Sequence, residues 1–222
     1  MAFPFDIVGF DMDGTLLDTS GDLAAAVNHA LASADRAPLP VERITTMIGG
    51  GARHMLAQGM AATGGCTDAE LDVLHRRLLA YYEANMVVDT APYPQALAAL
   101  DDLAARGVVL AVVTNKIERY AAEVLDTLGL RDRFACLIGG DTLAVGKPDP
   151  APIRAMIERC GGGRAAFVGD SVYDVRAAKA AGVPVIGCSF GFLDRPAADL
   201  GADAVIDGFD ALVPTLERLG AT

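Results

Sequence analysis

The stretch "IVGFDMDGTLLD", Ile7 to Asp18, decides how the rest of the chain is read. Four residues without a charge, Ile7-Val8-Gly9-Phe10, read as a buried strand. The strand runs straight into Asp11 and Asp13, with Gly14 and Thr15 behind them. Two carboxylates at the end of a buried strand repel each other and are costly to desolvate. Such a pair calls for positive charge nearby, from a metal or from basic side chains.

Downstream, short apolar runs alternate with helical patterns. "GVVLAVVT" (Gly107 to Thr114), "FACLIGG", "AAFVGD", "VPVIGCSF" and "ADAVID" read as strands. The helical patterns between them end near Gly129, Gly161 and Gly182, and one begins beside Pro152. Proline near a helix start and glycine past its end are the expected punctuation. Near-continuous apolar strands alternating with helices predict an α/β fold, a Rossmann-like parallel sheet covered on both faces. One region breaks the rhythm. Between Leu17 and about Val88 no buried strand is evident. "TDAELDVLHRRLLAYYEANM" there reads as a helix opened by a capping box, Thr67 and Glu70, with Leu71, Leu74, Leu78 and Tyr81 on one face. The reading is therefore a core of residues 1–17 and 89–222 with a small α-helical cap domain, residues 18–88, inserted after the first strand. Hinges are expected near Leu17–Ser20 and Val87–Pro94.

Composition narrows the function. The 222 residues are 52% hydrophobic and 21% charged, so the chain is globular and long enough for one sizeable core. A net charge of -11 argues against nonspecific nucleic-acid binding, which needs a basic surface. Cys66, Cys136, Cys160 and Cys188 are scattered, with no CxxC, and read as free thiols. Met1 to Phe5 lacks the features of a signal peptide, and no apolar run reaches ~18 residues, so a cytoplasmic protein without membrane spans is expected. A monomer or homodimer is expected, and a small anionic substrate would need local positive charge, from a metal or a few lysines and arginines.

In an open α/β sheet, ligands bind beyond the carboxyl ends of the strands. Asp11 and Asp13 lie there, with Thr114, Asn115 and Lys116 after the second core strand and Asp170 after a later one. Asp174 follows one helical turn on, and Lys147 sits in the loop "GDTLAVGKPDP". Asp11 and Asp170, with a carbonyl at Asp13, suit Mg²⁺, which takes a few oxygen ligands and retains affinity for phosphate. Lys147 adds positive charge. Thr114, Asn115 and the backbone N–H groups of Met12 to Gly14 supply donors for a phosphoryl group. Asp11 is then placed to attack phosphorus, and Asp13 to protonate the leaving oxygen and later activate water. Arg53, after the Gly49-Gly50-Gly51 run, is a candidate for a substrate carboxylate. His29, His54 and His75 read as packing or surface residues, and Tyr81-Tyr82 as part of the cap's apolar face.

D-x-D-G-T (Asp11 to Thr15), the strand-ending Thr114, Lys147-Pro148 and "GDSxxD" (Gly169 to Asp174) resemble, in order, the four motifs of the haloacid dehalogenase superfamily. The resemblance implies a phospho-aspartate at Asp11, with Asp13 as acid and base. It implies Mg²⁺ held by Asp11, the Asp13 carbonyl and Asp170, with Asp174 behind these ligands. Thr114 and Asn115 would hold the phosphoryl group, and Lys147 would bridge it to Asp11. Within the superfamily, "DLAAAVNHAL", "IGGGAR", "VVTNK", "GGDTLAVGKPDPAP" and "FVGDS" resemble the phosphoglycolate phosphatases. The chain departs from them at Gly50, where asparagine is common, and at Ile117, where proline is. The expectation is a Mg²⁺-dependent phosphomonoester hydrolase acting on 2-phosphoglycolate or a similar small acid phosphate. The alternatives are a β-phosphoglucomutase-like phosphosugar mutase, a general sugar-phosphate phosphatase, and a non-catalytic phosphate-binding module. The complete carboxylate and lysine set argues against the last.

Overall fold

In the computed structural model, which describes residues 3–221, the first strand is β1, Ile7–Phe10. Met1, Ala2 and Thr222, at the ends of the segments read as core, lie outside the described residues. After β1 come a short β2 (Leu17–Asp18), then α1 (Ser20–Ala32), α2 (Val41–Thr45), α3 (Ala52–Ala62) and α4 (Asp68–Ala84). A short β3 (Ala91–Pro92) leads to α5 (Ala96–Ala105), β4 (Val109–Val113), α6 (Glu118–Thr127) and β5 (Cys136–Ile138). The chain closes with α7 (Ala151–Arg159), β6 (Ala165–Gly169), α8 (Val172–Ala181), β7 (Val185–Cys188), β8 (Ala204–Ile206) and α9 (Leu212–Gly220).

Six strands form a parallel sheet in the order β5-β4-β1-β6-β7-β8. The opening strand is central: Ile7 pairs with Val109 on one side and Ala165 on the other. All four β1 residues are buried. Successive side chains of a strand point to opposite faces, and the packing follows that period. Val8, Phe10, Val112 and Val168 join one core, with α5, α6 and α9. Ile7, Val113 and Phe167 join a second, with α7 and α8. A sheet covered on both faces explains why its strands read as unbroken apolar runs. The same architecture sends the C-terminal ends of β1, β4 and β6, neighbours in the sheet, to one edge.

Between β2 and β3 the chain is helical, and α1 packs on α2, α3 and α4. The capping box of α4 forms as its sequence predicts. The Glu70 N–H donates to the Thr67 hydroxyl, and the Glu70 carboxylate accepts from the Thr67 N–H at 2.8 Å. The sequence reading missed the antiparallel contact of β2 with β3, which pairs Leu17 with Pro92 and Asp18 with Ala91. Two residues are too few to show a strand period. The pair brings together the two segments expected to be hinges. Asp22 strengthens that junction: its buried carboxylate accepts hydrogen bonds from the N–H groups of Val88, Asp89 and Thr90 and from the Thr90 hydroxyl. Charge-assisted bonds of this kind are about twice as strong as neutral ones.

Candidate active site

The end of β1 delivers Asp11 to the edge, anchored by its N–H to the Val168 carbonyl at 2.9 Å. The chain then turns at Gly14, whose φ of 81° lies where a side chain is strained. Space forbids a side chain too, since a Cβ there would stand 2.4 Å from Asp170 Oδ2. The Gly14 N–H is engaged by the Leu17 carbonyl at 2.9 Å. Of the turn donors read from sequence, those at Met12 and Asp13 have no partner among the described residues, and the one at Gly14 is occupied.

β6 delivers Asp170, whose two oxygens are both held. Thr15 Oγ donates to Oδ1 and the Phe192 N–H to Oδ2, each at 2.7 Å. Gly191 permits this approach: a Cβ there would lie 2.3 Å from the Asp170 Cβ. Asp174, at the start of α8, is enclosed. Its Oδ2 accepts from the Ser171 N–H and hydroxyl at 2.9 and 2.6 Å, an unforeseen capping box. Its Oδ1 accepts from Lys147 Nζ at 2.6 Å, and Lys147 also donates to the Val113 carbonyl at 2.7 Å. Lys147 Nζ lies 2.9 Å from Asp11 Oδ1 as an ion pair. That oxygen is buried and has no partner in hydrogen-bond direction.

These charges do not balance. One oxygen from each of Asp11, Asp170 and Asp174 lies within 4.8 Å of the other two. Against three carboxylates stands one ammonium, Lys147. Burial, and then the neighbouring Asp174, push the Asp11 carboxyl up to about 7, although Lys147 opposes them. Burial with Asp174 and Asp11 likewise holds Asp170 well above the carboxylate range. Burial works against the charge on Lys147, but Asp11 and Asp174 outweigh it and raise its pKa. A buried all-oxygen donor set, with three carboxyl groups to one ammonium and two of them hard to ionise without further positive charge, fits a divalent cation.

β4 contributes Thr114, Asn115 and Lys116. Thr114 is buried, and its Oγ accepts from the Lys116 N–H at 3.2 Å. The Asn115 amide is engaged: Nδ2 donates to the carbonyls of Gly49 and Lys147, both at 2.9 Å. The Asn115 side chain therefore ties the glycine loop to the Lys147 loop, and its backbone N–H is the donor left for a ligand. Lys116 bonds both oxygens of Asp13, at 3.0 and 3.1 Å, and lies 4.5 Å over the centre of the Tyr82 ring. Burial disfavours the Lys116 charge, but Asp13 and Tyr82 overcome it and raise its pKa.

A cavity of about 50 Å³ joins these groups to the helical segment. Asp11, Asp13, Thr114, Asn115 and Lys116 line one side; Leu23, Ile48, Met55 and Tyr82 are among those on the other. The structure thus gathers Asp11, Asp13, Thr114, Asn115, Lys147, Asp170 and Asp174 at one edge. Arg53 is not among them. Its guanidinium is exposed and bonds Asp72 Oδ1 at 2.9 and 3.2 Å. Sequence reading missed Lys116 as the partner of Asp13, although it follows Thr114-Asn115 directly. It also missed Thr15 and Phe192 as the clamp on Asp170. Thr15 stood within the quoted motif, but nothing local marks Phe192, which arrives from 22 residues beyond Asp170.

Comparison with known proteins shows the family and the fold. The family model of the haloacid dehalogenase-like hydrolases matches residues 5–182. The chain is 43% identical over 210 residues to the phosphoglycolate phosphatase of Agrobacterium fabrum, covering 93% of this chain and 90% of that one. It is 44% identical over 227 aligned positions to the phosphoglycolate phosphatase of Rhodospirillum rubrum, covering 96% and 94%. Its fold is similar to the crystal structure of a predicted phosphoglycolate phosphatase from Haemophilus somnus, with a TM-score of 0.89 and 31% identity over 96% of this chain and 98% of that one.

Proposed function

The chain belongs to the haloacid dehalogenase-like hydrolases and is a phosphatase; from that premise we propose that it hydrolyses 2-phosphoglycolate or a closely similar small acid phosphate, with Mg²⁺ as cofactor. The observation that carries the reaction is the buried Asp11, Asp170 and Asp174 cluster with Lys147 inside it. The named relatives support the substrate.

In the proposed reaction a carboxylate oxygen of Asp11 attacks phosphorus. The bond from phosphorus to the substrate oxygen breaks, and Asp13 gives that oxygen its proton. Asp13 then takes a proton from water as the water oxygen adds to phosphorus. The bond to Asp11 breaks, releasing inorganic phosphate and restoring both carboxyl groups. The backbone N–H groups of Met12, Asp13 and Asn115 and the hydroxyl of Thr114 orient the phosphoryl oxygens. Lys147 holds Asp11 and neutralises charge beside it. Asp11, the Asp13 carbonyl and Asp170 would hold Mg²⁺, which when bound offsets negative charge on the phosphoryl group. Asp174 holds Lys147 in place. Residues 18–88 act as the cap, moving about the β2–β3 pair and closing the apolar wall over the substrate.

The test is phosphate release from 2-phosphoglycolate, glycerol 3-phosphate and glucose 6-phosphate, with Mg²⁺ or with chelator. A kcat/KM for 2-phosphoglycolate ~100-fold above the others is expected, because a buried polar site rejects analogues that leave it unpaired. Equal values would overturn the substrate, and absence of hydrolysis of any of them would overturn the reaction.

The metal site makes a separate prediction. A carboxyl whose folded pKa is raised to about 7 from 3.8 contributes nothing unfavourable below the lower value. It destabilises the fold increasingly as pH rises toward the upper one. In chelator, Tm therefore falls between about pH 5.5 and pH 8. At the higher pH, Mg²⁺ at ~100-fold over its Kd should restore roughly 5–10 °C. The shift should be clearly smaller at the lower pH. Differential scanning fluorimetry showing equal shifts at both would contradict this cluster as the site.

A further inference from the structure

We propose that Lys116 and Tyr82 form the subsite that receives the substrate's carboxylate and thereby select acid phosphates. The inference rests on the phosphatase reading above and goes beyond it, to the residues that choose the substrate. In 2-phosphoglycolate the leaving oxygen and the carboxylate share one methylene carbon. Whichever group protonates that oxygen stands within a few bonds' reach of the carboxylate. Asp13 is that group, and Lys116 Nζ sits 3.0 Å from it.

The alternatives are otherwise engaged. Among the side chains lining the cavity, Lys116 is the cation. Lys147 is enclosed between Asp11, Asp174 and the Val113 carbonyl. Arg53, the residue read from sequence for this task, is bound to Asp72 on the surface. An ammonium carries three protons. The two oxygens of Asp13 account for two of them. Tyr82 supplies the independent observation. Its hydroxyl is buried in the cavity wall and has no partner in hydrogen-bond geometry. Its ring lies under the Lys116 ammonium at 4.5 Å, which holds the ammonium in place. A carboxylate entering here gains one ammonium and one phenol donor. The apolar wall of Leu23, Ile48 and Met55 keeps water from competing for them.

The experiment compares 2-phosphoglycolate with its neutral amide, 2-phosphoglycolamide, by kcat/KM in the presence of Mg²⁺. Wild type is expected to prefer the acid. Lys116→Met should lower both values, because Asp13 loses its partner. It should also lower the acid-to-amide ratio at least ~10-fold, as loss of a bond to a charged group does, through KM for the acid. Lys116→Arg should restore part of the ratio, and Tyr82→Phe should lower it several-fold. A ratio unchanged in Lys116→Met, with wild-type preference intact, would show that Lys116 serves Asp13 alone and would overturn the subsite. A wild-type ratio near one would overturn the acid-phosphate reading and the subsite together. Should Lys116→Met not fold, Lys116→Gln, which keeps a polar contact to Asp13, is read in the same way.

Discussion

Asp11→Asn should abolish turnover, lowering kcat by at least ~10⁴-fold, as loss of a covalent nucleophile does. The change is nearly isosteric, so it removes charge and nucleophilicity without opening a cavity. A second readout separates chemistry from folding. Burial and Asp174 raise the Asp11 carboxyl to about 7, so its ionised form is strained when no cation is bound. In chelator above about pH 7 the variant should melt no lower than wild type. Intact activity in the variant would move the nucleophile elsewhere. Lost activity with a collapsed Tm would make Asp11 a structural residue.

Lys147→Met should damage fold and chemistry together. The ammonium is buried between Asp11 and Asp174, at 2.9 and 2.6 Å. Removing one member of a buried ion pair leaves an uncompensated charge and costs about 3–5 kcal/mol. For a chain of this length that lowers Tm by roughly 10 °C. Turnover should fall by ~10²–10³-fold, the scale reached when one stabilising donor is deleted. Arginine should not rescue it, because the bulkier guanidinium has no room in so enclosed a site. A thermal scan and phosphate-release kinetics on the purified variant check both. An unchanged Tm would show that the three carboxylates do not need this cation.

The fold was legible because a parallel sheet buries both faces of its strands. Ile7–Phe10, Val109–Val113 and Ala165–Gly169 therefore read as apolar runs ending in polar residues. Those endings are the site, which is why Asp11, Thr114 and Asp170 stand out from the amino-acid order alone. Side-chain pairing was less legible, because partners across space leave no sequence period. Lys116 and Asp13 are 103 residues apart. Nothing in the sequence said that Asn115 would bond the carbonyls of Gly49 and Lys147. Arg53 shows the converse limit: an arginine after a glycine run invites a ligand role, but Asp72 on α4 reaches it first. The β2–β3 pair escaped notice because two residues carry no pattern.

These gaps share a cause. Local signals report burial and backbone shape, whereas the choice of partner depends on which loops the fold brings together. The GCSFGF stretch is the clearest case. It is unusual among the phosphoglycolate phosphatases, but nothing in its residues says what it reaches: its Phe192 N–H and the bare Gly191 close on Asp170. A polar edge of several acids was predictable, but the clamp that orients each acid was not.

The claim on which the rest depends is that phosphorus bonds to Asp11 during turnover. Rapid acid quenching of the enzyme with 2-phosphoglycolate labelled on phosphorus, followed by peptide mapping, tests it most directly. Label on the peptide containing Asp11, absent from Asp11→Asn and released by hydroxylamine as an acyl phosphate is, is the result expected. Phosphate release at full rate with no label on protein, or with label on another residue, would contradict it.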